Sequence, residues 1–334
     1  MRNNMILSIL LLLAVVSCRK QDIDMFEGPS LEELNTPFKV KSNLTNSQDA
    51  VDFSSGESVY FTAEFSKTID WKLRIIGLTS GAEKIVNGTS KTLDAERFLW
   101  DGSTTNLPVF RAENCDVELT FLNEEDTLIG MVEVLNPKNN SGFLISDFES
   151  GFDPGWTFFI QSGLDMDFQV KTNDGAAQGD AHYNMAGTVD WDWLVGLVNF
   201  NAPAYGAPHF PLNSNGDNVY FNVMVYGEPG FQNSVVLFQF EEDENGDETF
   251  NAANEDMYAV ELKVDWEGWQ LISLKYSDIV SLVNGQPAAA SGNDTHNPDK
   301  IIAINMLHLA DPASGYAKSK LDYIIFTENG PLNP

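Results

Sequence analysis

Alternation of apolar and polar residues in short runs constrains the fold of this chain more than any other feature. In "DWKLRII", Trp71, Leu73 and Ile75 share one face, and Lys72 and Arg74 occupy the other. Such period-two runs, separated by turn residues, are typical of half-buried β-strands, and long stretches of helical periodicity are scarce. The sequence therefore predicts an all-β chain.

The strand-like runs fall into two blocks, separated by "LNPKNNSG" (135–142), which has no apolar residue after Leu135. About six or seven short strands in residues 38–137 predict an immunoglobulin-like sandwich, although the cysteine–tryptophan–cysteine signature of antibody domains is absent. About ten strands in residues 138–334 predict a jelly-roll β-sandwich. The expected fold is thus an immunoglobulin-like domain followed by a jelly roll.

The chain opens with a charged residue and a short apolar run that ends at Ser17 and Cys18. The run is shorter than the ~20 residues that a membrane-spanning helix needs. This pattern resembles a bacterial lipobox, which implies a signal peptide over 1–17, acylation of Cys18 and a lipidated tether over 18–37. Asp22 and Asp24 resemble the export signals of surface lipoproteins in Bacteroidota, so the resemblance implies a lipid anchor in the outer membrane, facing the cell exterior. The alternative is a plain secreted protein with an incidental cysteine.

Cys115 is the second cysteine, and with Cys18 acylated no intramolecular disulfide is possible. In "CDVELTF" it shares its parity with Val117, Leu119 and Phe121. The pattern favours a buried structural cysteine over a nucleophile.

The chain is strongly acidic, with 49 acidic and 19 basic residues and a formal net charge of −30. Such a surface repels phosphates, so we expect no nucleic-acid partner. It also disfavours polyanionic glycans, which leaves a neutral ligand as the expectation.

Three segments of the second block resemble jelly-roll carbohydrate-binding modules: "FLISDFESGFDPGW", "DWEGWQLISLKYSDI" and "LDYIIFTENGPL". The whole layout, with an immunoglobulin/PKD-like domain before the jelly roll, resembles the SusE-like surface glycan-binding lipoproteins of Bacteroidota polysaccharide-utilisation systems. The resemblance implies non-catalytic capture of a polysaccharide for uptake, beside a porin-type glycan transporter. Within that class, the acidic charge of the chain favours a neutral glucan, such as a laminarin-like one.

Sugar rings bind to proteins through aromatic side chains stacked on their apolar faces and through hydrogen bonds at their rims. The first candidates are Trp191 and Trp193 in "TVDWDWLVG". The strand pattern predicts Trp193 in the core and Trp191, nearer the loop, as the stacking platform. The alternative is that both are buried.

Further candidate contacts follow along the chain. Tyr205 and His209 lie in the Pro/Gly/Asn-rich stretch 201–217, and long loops in compact domains are often functional. Their alternative role is to pin a surface loop. Trp266, beside a Glu-Gly turn, is an ambiguous candidate.

The strand "NVYFNVMVYGE" has a second face formed by Tyr220, Asn222, Met224 and Tyr226. In a jelly roll this stripe is a candidate for the concave face, where elongated glycans lie. The alternative is that it packs against the other domain or a covering loop.

Two sets of carboxylates are candidates for metal sites. "DENGD" (243–247) has alternating oxygen donors, but its glycine is out of place for a calcium loop and position twelve is Asn254, so a hairpin turn explains it better. The family resemblance implies a structural Ca²⁺ held by Asp147, Glu149 and Asp322.

Enzyme motifs are missing from the sequence. It contains no G-x-S-x-G, H-E-x-x-H or phosphate-binding glycine loop, and the carboxylate pattern of jelly-roll glucanases is absent. His308, in "INMLHLA", is better explained as a core residue than as a base. We therefore expect a non-enzymatic binding protein. The alternative is a structural or adhesive surface lipoprotein with a protein partner.

Overall fold

The computed structural model describes residues 36–172, 175–189, 193–283, 285–311 and 315–334. The predicted signal peptide (1–17), Cys18 and all but the last two residues of the tether lie outside these ranges. The first block contains six strands: β1 (Val40–Asn46), β2 (Ala50–Asp52), β3 (Phe61–Gly77), β4 (Glu83–Leu93), β5 (Glu113–Phe121) and β6 (Thr127–Asn136).

The first domain forms around the long strand β3, which pairs with β1, β4 and β5, while β6 joins β5 to the parallel strand β2. The alternation read from the sequence holds, because Trp71, Leu73 and Ile75 are all buried. Together with β5 side chains and Trp100 from a loop, they form one apolar core.

Thirteen strands of the second block are described: β7 (Phe143–Ser146), β8 (Thr157–Ile160), β9 (Gln169–Thr172), β10 (Ala181–Thr188), β11 (Leu194–Asn201), β12 (Val219–Gly227), β13 (Ser234–Glu242), β14 (Met257–Val264), β15 (Gly268–Lys275), β16 (Leu282–Val283), β17 (Gln286–Pro287), β18 (Ile301–Ala310) and β19 (Tyr316–Glu328). Eleven of these build two facing sheets. Sheet I has the order β15-β12-β19-β10-β9, with β7 also on β19, and sheet II has the order β14-β13-β18-β11-β8. The short strands β16 and β17 form a separate hairpin.

The two sheets pack face to face over an aromatic core. Phe221 of sheet I meets Phe238 and Phe240 of sheet II with ring centroids 4.9 Å apart in both pairs. Aromatic pairs in such edge-on arrangements favour a well-packed sandwich. The prediction of an all-β chain with successive β-sandwiches is confirmed.

The outer face of sheet I is covered by the first domain and by the end of the chain. Met224 is fully buried there, in a cluster that includes Leu332 and is packed by Leu107 and Val109 of the first domain. A backbone hydrogen bond of 2.8 Å from Val109 to Ala177 fastens the same contact. The part of sheet I around Met224 is therefore not available to a ligand.

The described residues include no helix with the length and apolar character to cross a membrane. Cys115 is fully buried, as its alternation predicted, and burial raises the pKa of its thiol to about 12. The thiol is thus unreactive at neutral pH.

Candidate functional site

A groove of about 590 Å³ runs over the outer face of sheet II. The strands β13, β14 and β18 form its floor, and the β16–β17 hairpin forms one wall. Its lining residues are Trp193, Val235, Leu237, Gln239, Ala259, Glu261, Leu282, Gly285, Gln286, Leu309, Ala310 and Asp311.

The apolar floor follows from the alternation within β13. Phe238 and its even-numbered neighbours fill the core, so Val235, Leu237 and Gln239 point to the opposite face. Leu309 on β18 lies directly opposite Val235 and therefore shares that face. The floor is a strip of aliphatic side chains on a rigid sheet.

Trp193 stands at the edge of this floor with 65% of its surface exposed. It precedes β11, and its carbonyl oxygen accepts a 2.9 Å hydrogen bond from the backbone N–H of Ala310. A register shift between Leu194 and Gly196 changes the side-chain alternation at the start of β11. The prediction that Trp193 lies in the core was wrong, because Trp193 precedes β11 and its side chain lines the groove on sheet II instead of packing between the sheets.

The rim of the groove carries polar groups without a protein partner. The side chains of Gln239, Glu261 and Gln286 make no hydrogen bond to any described residue. Glu261 and Gln286 are exposed, and Gln239 is half-buried. Amide and carboxylate groups in these positions can hydrogen bond to a ligand that lies on the apolar floor.

A row of linked polar groups crosses sheet II beside the groove. Asn199 donates to Asn305 at 2.7 Å, and Asn305 donates to the Glu241 carboxylate at 2.7 Å. Burial raises the pKa of Glu241, and the hydrogen bond from Asn305 opposes that rise. These three side chains hold one another in fixed orientations across β11, β18 and β13.

The lining of the groove is acidic. It contains Glu261 and Asp311 but no lysine or arginine. A sulfated or uronate-rich polymer would meet like charges there, whereas an uncharged ligand would not.

Phe159 extends the apolar surface toward the edge strand β8. It pairs with Leu197 on the outer face of sheet II and is 46% exposed. The strand β8 has no further partner on its outer side, so its aromatic side chains remain accessible.

The described aromatic residues that were selected from the sequence do not lie together at one site. Trp191 lies outside the described residues. Trp266 is half-buried against the core and does not line the groove. Tyr205 donates a 2.6 Å hydrogen bond to the carbonyl oxygen of Ile145, and its ring packs on Phe143 and Phe210.

His209 does not line the groove either. Its Nε2 lies 3.0 Å from the Asp243 carboxylate, which also accepts hydrogen bonds from the backbone N–H groups of Gly246, Asp247 and Glu248. The Asp243 carboxylate therefore caps the backbone turn of its own loop, which agrees with a turn at "DENGD".

The stripe on β12 belongs to the covered face of sheet I. Asn222 is fully buried, where it accepts a 3.0 Å hydrogen bond from the Leu332 N–H and donates to Thr327. Tyr220 and Tyr226 are half-buried, and Lys320 lies over the Tyr226 ring. The stripe packs against the first domain and the chain end, which was the alternative stated above.

The three carboxylates predicted to hold Ca²⁺ do not converge as a set within 4.8 Å. Asp322 accepts hydrogen bonds from the backbone N–H groups of Ala177 and Gln178, and Glu149 accepts two from residues 180 and 181. Asp147 accepts one from the Glu149 N–H. Burial raises the pKa of Asp322 well above its usual range.

Comparisons with known proteins gave fold-level matches only. No family model matches the chain, and no curated protein does. A solved structure on promiscuous carbohydrate-binding modules of the β-sandwich superfamily is 13% identical, with a TM-score of 0.37, covering 88% of this chain and 99% of that one. A family 11 carbohydrate-binding module from Clostridium thermocellum, in complex with a mixed-linked tetrasaccharide, is 14% identical, with a TM-score of 0.37, covering 59% and 100%.

SGBP-B from a xyloglucan utilization locus of Bacteroides uniformis is 10% identical, with a TM-score of 0.34, covering 87% of this chain and 73% of that one. At these scores we base no functional inference on the matches.

Proposed function

We propose that this chain binds a neutral polysaccharide without catalysis, and that the groove on sheet II holds it. The observation that carries the proposal is the exposed Trp193 beside an aliphatic floor whose rim offers three polar side chains that have no partner among the described residues. A sugar ring has an apolar face for the former and hydroxyl groups for the latter. The volume of about 590 Å³ falls in the usual range for small-ligand sites.

The biological setting that we propose combines this site with the start of the sequence. Acylation of Cys18 would anchor the chain in the outer membrane, and the first domain would act as a spacer. The groove would capture a laminarin-like glucan at the cell surface and pass it to a porin-type transporter. The acidic surface supports an uncharged ligand.

Native affinity electrophoresis of residues 19–334 against soluble polysaccharides tests the proposal. We expect retardation by a neutral glucan. Replacing Trp193 by alanine should weaken binding by about 2 kcal/mol, or roughly 30-fold, since a large apolar contact is lost. Tyr60→Ala is the matched control, because Tyr60 is an exposed aromatic residue of the first domain.

Two results would contradict the proposal: no retardation by any neutral glycan, or full binding by Trp193→Ala. Release of oligosaccharides during incubation would indicate a hydrolase or lyase instead of a binding protein.

The second candidate is a structural or adhesive protein with a protein partner. Ile129, Met131 and Leu135 on β6 of the first domain are 73%, 58% and 48% exposed and share one strand face. Exposed apolar side chains in a row are typical of interaction surfaces. This function predicts no glycan shift, and loss of partner binding in an Ile129→Ser/Met131→Ser variant.

The Ca²⁺ implied at Asp147, Glu149 and Asp322 stays a prediction. Running the same gel with calcium and with chelator tests whether an ion contributes to binding, and Asp322→Asn identifies its location.

A further inference from the structure

A separate group of carboxylates lies at the far end of β13 and β14. Glu242 ends β13, Asp256 immediately precedes β14, and the Glu242 N–H donates a 3.0 Å hydrogen bond to the Asp256 carbonyl oxygen. Antiparallel pairing thus brings the two acids together, and Glu244 follows two residues later. Each of the three offers an oxygen, and these oxygens lie within 4.8 Å of one another.

Two of the three carboxylates are fully removed from solvent, and the third is half-buried. Glu242 is the decisive residue. Its Oε1 accepts hydrogen bonds from the Tyr276 hydroxyl at 2.7 Å and the Asn297 N–H at 2.8 Å. Its Oε2 is buried and has no donor among the described residues. A buried carboxylate oxygen without a partner is costly unless a cation or a proton occupies it.

The protein supplies no cation to this cluster. In the part of the chain that the structure describes, no lysine, arginine or histidine forms an ion pair with Glu242, Glu244 or Asp256. Burial, with the charges of Asp256 and Glu244, raises the pKa of Glu242 to about 8. Three converging acids therefore lack a compensating positive charge.

The loop that faces the cluster is shaped around the carboxylates. Asp256 accepts hydrogen bonds from the N–H groups of Gly292 at 2.6 Å and Asp294 at 2.8 Å. Glu244 accepts one from Asn293 at 3.2 Å. A Cβ at position 292 would overlap the Glu244 carboxylate and come within 2.9 Å of the Asp256 backbone nitrogen, so a larger residue there would force the Glu244 side chain or the loop to shift. The cluster thus joins this loop to the end of sheet II.

We propose that Glu242, Glu244 and Asp256 bind Ca²⁺ and thereby fasten residues 292–297 to sheet II. The ligand set is all oxygen, which suits a hard cation and does not suit Zn²⁺, which prefers nitrogen and sulfur. Ca²⁺ accepts irregular arrangements of six to eight oxygens, with bidentate carboxylates, whereas Mg²⁺ demands a near-ideal octahedron. The site is distinct from Asp147, Glu149 and Asp322, and it does not depend on glycan binding.

Calorimetric titration of chelator-treated protein with CaCl₂, and thermal unfolding with and without CaCl₂, test this site. We expect binding heat and a rise in Tm of about 5–10 °C at a hundredfold excess over Kd. MgCl₂ should produce a smaller shift.

Three variants locate the ion. Glu242→Gln should lose the calcium-dependent Tm shift, while Asp247→Asn, which alters an exposed carboxylate of the same loop, should keep it. Glu149→Gln, at the other predicted site, should also keep it. Unfolding of each variant in chelator, compared with wild type in chelator, shows that the variant is folded.

The proposal is overturned if wild-type protein shows neither heat nor a Tm shift in CaCl₂. A protonated Glu242 would then explain the cluster. It is equally overturned if Glu242→Gln keeps the full shift and Glu149→Gln abolishes it, because the ion then lies elsewhere.

Discussion

At the scale of single residues, the groove contains polar side chains that make no hydrogen bond to a neighbouring described residue. Gln239 stands on β13 between the apolar Leu237 and the linked acid Glu241, and its amide has no partner among the described residues. A half-buried amide without a partner gains a hydrogen bond when a ligand arrives. It therefore favours ligands that carry hydroxyl groups.

Gln239→Ala should weaken glycan binding by about 0.5–1.5 kcal/mol, or roughly twofold to twelvefold, since one or two rim hydrogen bonds are lost. Isothermal titration with the retarded glucan measures this change. Gln232→Ala, in the exposed loop before β13, is the matched control and should bind like wild type. Equal affinities of the two variants would exclude Gln239 from the site.

His308 is a residue-scale feature of stability. Its ring is fully buried in the sandwich, and neither ring nitrogen has a partner among the described residues. Burial lowers the pKa of His308 to about 3. The His308 ring is therefore neutral in the folded core. Between pH 6.5 and pH 3, the unfolded chain binds a proton at His308 more readily than the folded chain does.

The sign of this linkage gives a pH prediction. Stability should be complete above pH 6.5 and fall as the pH drops toward 3, with a loss of about 2 kcal/mol by pH 5 from this group. His308→Leu removes the titrating group. Urea unfolding at pH 7 and pH 5 should show a smaller loss for the variant than for wild type. Equal losses would mean that other groups control the acid sensitivity.

At the scale of elements, the outer faces of strands in the same sandwich have different neighbours. On β12, Met224 packs with the first domain and Asn222 bonds to the chain end, whereas on β13, Leu237 and Gln239 face the groove. Both strands alternate in the same way, and both lie within a sheet rather than at its edge. What differs is the neighbour that covers the sheet.

Asn222→Ala should destabilise the protein by about 1–3 kcal/mol, because the Leu332 N–H and the Thr327 hydroxyl lose a buried partner. Denaturant unfolding measures the loss, and the exposed Asn139→Ala is the control. The folded fraction of the variant should bind the glycan with the same affinity as wild type. A selective loss of binding with full stability would restore the β12 stripe as a ligand face.

At the scale of the whole molecule, the charge of −30 determines which polymers can approach. Stacking and neutral hydrogen bonds depend little on ionic strength, whereas repulsion between exposed charges is screened within a Debye length of about 8–10 Å at physiological salt. The proposed selection for neutral glycans would thus rest on the charge of the surface as well as on the groove.

We expect the affinity for a neutral glucan to change by less than about twofold between low and high salt. Alginate and sulfated polysaccharides should cause no retardation at low salt. A strong fall in glucan affinity with added salt, or retardation by a polyanion, would show that charge contributes to recognition.

Much of the fold was predictable, because side-chain alternation is a local property of a strand. The buried faces of β3 and β5, the burial of Cys115 and the two strand-rich blocks all follow from it. The position of Trp193 was not predictable, since Trp193 precedes β11 and the sequence does not show what covers a side chain at the start of a strand. The exposure of Phe159 was not predictable either, because the sequence does not show which strand lies at a sheet edge.

The sequence by itself determined that the chain folds into β-sandwiches, that its surface is acidic and which residues of each strand share a face. Only the tertiary structure decided which face remains open. Alternation divides the residues of a strand into two sets, and one set packs between the sheets. The other set meets solvent, a ligand or another domain according to what packs on that sheet. The first domain and the chain end pack on sheet I, whereas the outer face of sheet II forms the groove.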